Sequence, residues 1–188
     1  FQDRFGTDII VGFGMTETCF GTIERIGSAR RPNSSGQPRQ HPDPRFTNQV
    51  RISDAETGKP LGARLEGEIT IKNPVTMAGY WRNEEQTNQS LRDGWLYTGD
   101  LAYRDDERYL YIADRKKDMI ITGAENVYSV EVENLISTHP SVLEVAVIGV
   151  PDPQWIEVVK AVVVPREGAP VDEAELIEFC RGRIANYK

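Results

Sequence analysis

The sequence predicts a fold of mixed α/β and α+β class, and three observations lead to this prediction. A β-branched run over residues 7–11 ends at Gly12 and indicates a buried strand that enters a tight turn. Segments of alternating apolar and polar residues recur through 49–113 and are typical of antiparallel strands. After residue 117, helical spacing alternates with strand patterns, which predicts a second, smaller α+β unit.

The first part of the chain carries most of its strand signal in four short segments. Those at 49–53 and 68–72 each place two β-branched residues on one face, and those at 94–97 and 109–112 are rich in aromatic residues. Before them, residues 27–48 contain four prolines, two glycines and no apolar periodicity, which predicts a long loop. We therefore expect a small antiparallel sheet or barrel after this loop.

The second part of the chain combines strands with two helices. A brief apolar strand at 119–121 precedes a helix for which Ser129 is the predicted N-cap. Two strands follow, at 142–150 and 158–164. Asp172 then caps a second helix, in which apolar residues recur at helical spacing. The predicted order is strand, helix, strand, strand, helix.

Composition and charge exclude several classes of protein. The chain has 188 residues and no apolar run near the ~20 residues that a membrane-spanning helix requires. A net charge of −7 disfavours nucleic acid and anionic membranes as partners, because both select basic surfaces. Cys19 and Cys180 lie far apart, and His41 and His139 each precede a proline, so neither residue type has the spacing of a disulfide framework or a metal site. We expect a reduced, cytoplasmic protein.

The turn after the first predicted strand carries the first candidate site. Its residues, Gly12–Thr18, begin like a dinucleotide-binding fingerprint, but Glu17 occupies the position of the third glycine. The ring of Phe13 can stack on a planar base, the hydroxyl of Thr16 can donate to a phosphate oxygen, and the carboxylate of Glu17 can hold Mg²⁺. The alternative is a glycine-rich turn with polar surface residues.

Two further segments are candidates. Asp100, in Tyr97–Leu101, ends a predicted strand and can accept hydrogen bonds from both hydroxyls of a ribose, while Gly99 permits close approach. An aspartate that only terminates a strand is the alternative. The run Asp114–Ile120 contains three consecutive basic residues, and its alternative is a solvated charged linker. This block is too short, and too closely bracketed by aspartates, for a nucleic-acid patch.

Four motifs follow one another along the chain, and their order is more informative than any one of them. They read GFGMTET, GEITIKNPVTMAGYW, GWLYTGDLAY and YLYIADRKKDMIITGAENVYSVEVE. This succession strongly resembles the adenylate-forming superfamily, and within it the acyl-CoA synthetases, or acid–CoA ligases. The resemblance covers nearly the whole chain.

The resemblance implies a nucleotide site in the first part of the chain. It places Phe13 against the adenine, with Gly14 in the same binding turn. It implies that Thr16 contacts the α-phosphate of an acyl-adenylate and that Glu17 helps to hold Mg²⁺. Asp100 would bind the ribose hydroxyls.

The resemblance also implies roles for residues of the basic run and beyond. Arg115 would make a second contact to ribose or phosphate, and Lys117 matches the hinge about which a small domain rotates. Gly123 would line the passage of the pantetheine thiol. The implied organisation is the end of a large N-terminal AMP-binding domain over 1–116 and a small mobile C-terminal domain over 117–188.

The implied reaction has two steps. A carboxylic acid, fatty or aromatic, attacks Mg·ATP to give an acyl-adenylate and pyrophosphate, and the thiol of CoA then displaces AMP. An enzyme that loads a carrier protein and a non-catalytic nucleotide-binding module are the alternatives. Small molecules are the expected partners, and an oligomer is compatible with the sequence.

Two parts of the family pattern are missing from these residues. A phosphate loop rich in Gly, Ser and Thr is expected upstream of Phe1, and an adenylation lysine is expected beyond Lys188, which is not that lysine. We therefore expect a fragment of a ligase, inactive by itself. Its strand at 8–11 should lack neighbours, so the isolated polypeptide should be poorly stable or self-associating.

Overall fold

The chain folds as two compact units. The computed structural model describes residues 2–28, 31–123 and 125–188. The first unit is Phe1–Ile112 and the second is Ala113–Lys188. The expected domain boundary between residues 116 and 117 stays a prediction.

The first unit is built mainly of antiparallel strands. Its elements are α1 (Gln2–Phe5), β1 (Gly12–Met15), β2 (Cys19–Ile23), β3 (Gln37–Pro38), a 3-10 helix (Pro44–Phe46), β4 (Gln49–Ser53), β5 (Gly67–Lys72), α2 (Glu84–Ser90), β6 (Leu91–Arg92), β7 (Trp95–Arg104) and the start of β8 (Leu110–Arg115), which continues into the second unit. Strands β1, β2 and β3 form one sheet, and β4, β5, β7 and β6 form a second sheet in that order, with β8 also paired to β7.

The predicted antiparallel sheet is confirmed, but as an open sheet. Among the described strands, none closes it into a barrel. Strand β6 pairs with the first residues of β7, and β8 pairs with β7 as well. Because two strands share one long neighbour, the sheet branches at β7, and its edge strands do not meet.

The strand predicted at residues 7–11 is absent. Residues 6–11 have no regular structure, and Ile9 and Ile10 are each 40% exposed. The strand β1 begins instead at Gly12, because its partner β2 pairs with residues 12–15. Val11 is attached through the side chain of Glu24, whose Oε2 accepts its N–H at 2.9 Å. A β-branched run thus stays irregular where the described chain supplies no neighbouring strand.

The core of the first unit confirms the predicted strand faces. Ile52 on β4 and Ile69 and Ile71 on β5 are almost fully buried, as the alternation predicts. Burial of side chains of this size stabilises a fold by about 1.5–3 kcal/mol each. The cluster consists of Phe13, Ile52, Ile69, Ile71, Ala102 and Leu110, with Val50 and Leu61 packed against it.

The second unit is an antiparallel sheet with two helices. Its elements are β9 (Ile120–Thr122), β10 (Glu125–Val127), α3 (Ser129–Ile136), β11 (Val142–Asp152), β12 (Ile156–Pro165) and α4 (Glu173–Cys180). The strand order is β10-β9-β12-β11, and helices α3 and α4 contribute to a core around Ile120, Val132 and Val147. The predicted order of elements is confirmed, with one addition, β10, which pairs with β9.

The two predicted helix caps have different outcomes. Asp172 caps α4, since its Oδ1 accepts the backbone N–H of Glu175 at 2.8 Å. Ser129 is not the N-cap of α3. The cap position is Tyr128, whose side chain makes no capping hydrogen bond, and Ser129 is the first helical residue. Its hydroxyl donates to Asp114 Oδ2 at 3.0 Å, so a tertiary partner replaces the local cap.

Among the described residues, no helix has both the length and the apolar character that crossing a bilayer requires.

Strand β12 begins with a strained backbone conformation at Ile156. Ile156 has a φ of +72°, although it is β-branched, and its side chain is 62% exposed. Its backbone is paired on both sides, with Asp152 and with Thr122, and this pairing holds the conformation. For a β-branched residue the left-handed region is a genuine outlier.

We expect Ile156→Gly to stabilise the chain. Relief of the left-handed conformation is worth roughly 1–2 kcal/mol, of which the backbone entropy of glycine takes back about 0.5–1 kcal/mol. Calorimetry should show a rise in Tm of about 1–4 °C for a chain of this size. The matched control is Val162→Gly in the same strand, where the side chain is 53% exposed. It should lower Tm, and an equal fall in both variants would contradict the strain.

Candidate active site

The first predicted motif forms the hairpin between β1 and β2. Thr16, Glu17 and Thr18 make the turn, which is closed by the bond from the Thr18 N–H to the Met15 carbonyl at 3.2 Å. Thr16 is exposed, Glu17 is half-buried and Thr18 is fully buried. The turn therefore presents a hydroxyl to solvent with a carboxylate next to it.

Gly14 is required by a close approach of the two strands. A Cβ at this position would lie 2.6 Å from the carbonyl oxygen of Cys19 and 3.0 Å from Cα of Phe20. Both are backbone atoms, so a side chain would force the hairpin apart. The glycine keeps the turn of Thr16 and Glu17 closed.

A second segment, residues 73–80, holds this turn in place. Tyr80 donates its hydroxyl to Glu17 Oε1 at 2.9 Å, and the N–H of Met77 donates to the Glu17 carbonyl at 2.7 Å. The side-chain amide of Asn73 donates to the Thr18 carbonyl at 2.9 Å. Burial and the adjacent Glu17 carboxylate both raise the pKa of Tyr80, so the hydroxyl remains a donor across the neutral range. Sequence reasoning missed this role of Tyr80, although Tyr80 lies in the second motif.

The donor set at this turn fits a hard cation in part. A carboxylate offers about four lone-pair sites, so the bond from Tyr80 leaves acceptor capacity on Glu17. Within the described part of the chain, no group of three or more His, Cys, Asp or Glu side chains could hold a metal ion. Mg²⁺ commonly needs only one or two protein carboxylates, with substrate phosphates and water as the other ligands. Glu17 alone suits that mode.

The third motif, GWLYTGDLAY, forms a bulge in β7. On one side of the bulge Tyr97 pairs with Thr70, and on the other side Leu101 pairs with Glu68. Residues 98–100 of β7 therefore stand opposite a single residue of β5, Ile69. Gly99 has a φ of +77°, which a glycine adopts without strain. Bulges of this kind re-aim side chains and are common beside active sites. Asp100 therefore projects from a backbone that leaves the regular ladder.

Side chains complete the hydrogen bonds of this bulge. The Thr98 hydroxyl donates to the Ile69 carbonyl at 2.9 Å and accepts the Asp100 N–H at 3.1 Å. The Gly99 N–H donates to Glu68 Oε1 at 3.0 Å. The bulge is thus held by two polar side chains in addition to the ladder bonds on either side.

The turn of the first motif and the bulge of the third share one core. Phe13, on β1, packs in the same cluster as Ile69, whose carbonyl accepts the bond from Thr98. Phe13 is only 9% exposed, so most of its ring packs against the cluster. A contact with a planar base would use the small part that remains accessible.

The predicted residues of the second unit lie in two turns. Arg115 ends β8 and is exposed, and its carbonyl accepts the N–H groups of Asp118 and Met119, which closes a turn around Lys117. Lys117 is exposed in that turn. Gly123 lies between β9 and β10, and its N–H donates to the Trp155 carbonyl at 2.6 Å.

Comparison with known proteins identifies the family. Residues 1–81 match the family model described as AMP-binding enzyme, and residues 131–188 match the one described as AMP-binding enzyme C-terminal domain. The chain therefore belongs to the adenylate-forming superfamily of AMP-binding enzymes, as the four motifs predicted. It is 43% identical over its whole length to a feruloyl-CoA synthase from Amycolatopsis sp, of which it covers 37%.

Solved structures show the same relationship. The chain is similar to ATP-bound MatB from Rhodopseudomonas palustris, with 38% identity and a TM-score of 0.91, and covers 36% of that chain with 100% of its own. It is also similar to o-succinylbenzoate CoA synthetase (MenE) from Bacillus subtilis in complex with the acyl-adenylate intermediate OSB-AMP. Here the identity is 35% and the TM-score 0.85, with 99% of this chain and 37% of that one covered. The chain thus spans little more than a third of the length of these relatives.

We expect Glu17→Gln to lower the pKa of Tyr80. The variant removes the negative charge that disfavours ionisation of Tyr80, while burial continues to raise the pKa. An NMR pH titration of carbon-labelled tyrosine rings measures the change. Tyr111 is the internal control, because burial and Asp105 raise its pKa independently of Glu17. A Tyr80 pKa that does not move would contradict the contact with Glu17.

Proposed function

We propose that this chain is part of an ATP-dependent, AMP-forming acid–thiol ligase, which activates a carboxylic acid as an acyl-adenylate and transfers the acyl group to CoA. The observation that carries the proposal is the pair of anchored motifs on one core, the turn with Thr16 and Glu17 and the bulge with Asp100. The relatives support it, since their names specify CoA ligation, bound ATP and a bound acyl-adenylate.

In the first step, residues of the first unit bind and orient the nucleotide. The exposed edge of the Phe13 ring contacts the adenine, and the Thr16 hydroxyl donates to the α-phosphate. Gly14 keeps the two strands of the hairpin close together. Asp100 accepts hydrogen bonds from the ribose hydroxyls. Positioning of this kind converts an encounter of two substrates into a reaction within one complex, and it accounts for most of the catalysis in phosphoryl chemistry.

Glu17 is the proposed protein ligand of Mg²⁺. The bond from Tyr80 fixes one carboxylate oxygen of Glu17 and so orients the group. Bound Mg²⁺ would neutralise part of the phosphate charge. The role of Glu17 would be to hold the cation through its carboxylate.

Three residues from 115 onward have further proposed roles, because rotation of the small domain would let it serve both steps. We assign Arg115 to a ribose or phosphate contact, Lys117 to the hinge of a rotating domain over 117–188, and Gly123 to the passage of the CoA thiol. The exposed turn around Lys117 is the kind of connection that can absorb a change of backbone angles. Residues 1–116 then belong to the large AMP-binding domain.

The direct test is an assay of the complete polypeptide that the gene encodes. With ATP, Mg²⁺, CoA and a panel of fatty and aromatic acids, it should release AMP and pyrophosphate and form an acyl-CoA thioester. Omission of CoA is the control and should leave ATP–pyrophosphate exchange intact. Adenylation without any thioester on free CoA would favour the carrier-protein alternative. Binding of AMP without exchange would favour a non-catalytic module, and either result contradicts the proposal.

We expect Lys117→Pro to slow the overall reaction and to leave ATP affinity nearly intact. Proline fixes φ at this position and so blocks rotation of the backbone. The matched variant Lys117→Ala removes the side chain but keeps the backbone free, and it should retain most of the rate. Single-turnover measurements of adenylation and of thioester formation separate the steps. Equal rates for Lys117→Pro and the parent protein would contradict the hinge.

A further inference from the structure

A buried carboxylate lies directly beneath the Asp100 bulge, and the proposed mechanism does not use it. Glu68, on β5, is 5% exposed and stands among neighbours of the same strand that are fully buried. Removal of a charged group from water is unfavourable unless hydrogen bonds replace its hydration. The hydrogen bonds that Glu68 makes are therefore needed to stabilise its buried carboxylate.

Glu68 accepts a hydrogen bond from the residue that gives the bulge its shape. Its Oε1 lies 3.0 Å from the N–H of Gly99, the residue with a φ of +77°. A carboxylate is a stronger acceptor than a backbone carbonyl, and burial strengthens the bond further. Because Gly99 has no Cβ, it could adopt other conformations at little steric expense, and this bond selects one of them.

The next residue along the chain is Asp100, so the bond acts on its backbone. The Asp100 N–H is fixed by the Thr98 hydroxyl, and Thr98 is fixed by the Ile69 carbonyl. Glu68 on one side and Thr98 on the other thus determine how residues 98–100 leave the ladder. An aspartate that must meet two ribose hydroxyls needs such a fixed backbone, since a small displacement breaks both bonds.

We infer that Glu68 is a positioning residue for nucleotide binding, whose carboxylate holds the Thr98–Asp100 bulge in the conformation from which Asp100 recognises the ribose. The inference rests on the proposed function, in which Asp100 binds the ribose hydroxyls. It assigns to the glutamate of the GEI segment a role in recognition as well as in the core.

A positioning role and a purely structural role predict different measurements. Loss of positioning removes the advantage that the ribose hydroxyls give and leaves the contacts to base and phosphate. Loss of stability alone lowers the affinity for all nucleotides by the same factor. The useful quantity is therefore the ratio of the affinity for AMP to that for its 2′,3′-dideoxy analogue.

The experiment measures this ratio by calorimetry on the complete polypeptide. Hydrogen bonds to a charged group contribute about 1.5–3 kcal/mol, so the parent protein should prefer AMP by about tenfold or more. Asp100→Ala should bring the ratio close to one, and Glu68→Ala should do the same while affinity for the dideoxy analogue stays within about twofold of the parent's. Glu68→Gln keeps an acceptor oxygen and should retain most of the preference. Glu66→Ala, an exposed glutamate two residues earlier, is the matched control and should behave as the parent.

Each other outcome decides against the inference in a distinguishable way. A normal ratio in Glu68→Ala, with a collapsed ratio in Asp100→Ala, overturns the role of Glu68 and leaves the proposed function standing. A normal ratio in Asp100→Ala overturns the ribose role of Asp100 and the inference with it. If Glu68→Ala does not fold, Glu68→Asp decides, because it keeps the charge but withdraws the carboxylate by one methylene. A parent-like ratio in Glu68→Asp would overturn the inference.

Discussion

Strand β5 determines where the turn of Thr16 and the bulge of Asp100 lie. Its residues from Gly67 to Ile71 are all buried, and it pairs with β4 on one side and β7 on the other. Ile69 packs with Phe13 of the hairpin, and the Ile69 carbonyl and the Glu68 carboxylate hold the bulge of β7. Both motifs are therefore anchored to one rigid element, which is what a site needs if it acts by positioning.

The exposed turns that carry the candidate residues are each held by specific polar contacts. Segment 73–80 fixes the turn of Glu17 through Tyr80, and in the second unit the buried Asp114 accepts bonds from Ser129 and from the N–H of Arg115. The turn around Lys117 follows directly after this anchored point. The exposed turn therefore begins at a fixed point of the backbone.

Sequence periodicity predicted the elements that local patterning controls, and it failed where tertiary partners decide. The alternation around Ile52 and Ile69 identified the buried faces correctly, because a half-buried strand places alternate residues in the core. The run at 7–11 looked like a strand by composition, but pairing begins at Gly12. Ser129 looked like a local cap, yet its hydroxyl contacts Asp114. Motif order was enough to name the residues of the turn and the bulge as candidates. Tyr80 and Glu68 were missed because only the folded chain brings them to Glu17 and Gly99.

In the proposed site, the turn of Thr16 and the bulge of Asp100 bind one nucleotide. A crystal structure of the complete polypeptide with AMP tests it most directly. We expect the Asp100 carboxylate within about 2.5–3.0 Å of the ribose hydroxyl oxygens and the Thr16 hydroxyl at a similar distance from a phosphate oxygen. AMP bound elsewhere on the protein, or bound here with its ribose out of reach of Asp100, would contradict a nucleotide site shared by the turn and the bulge.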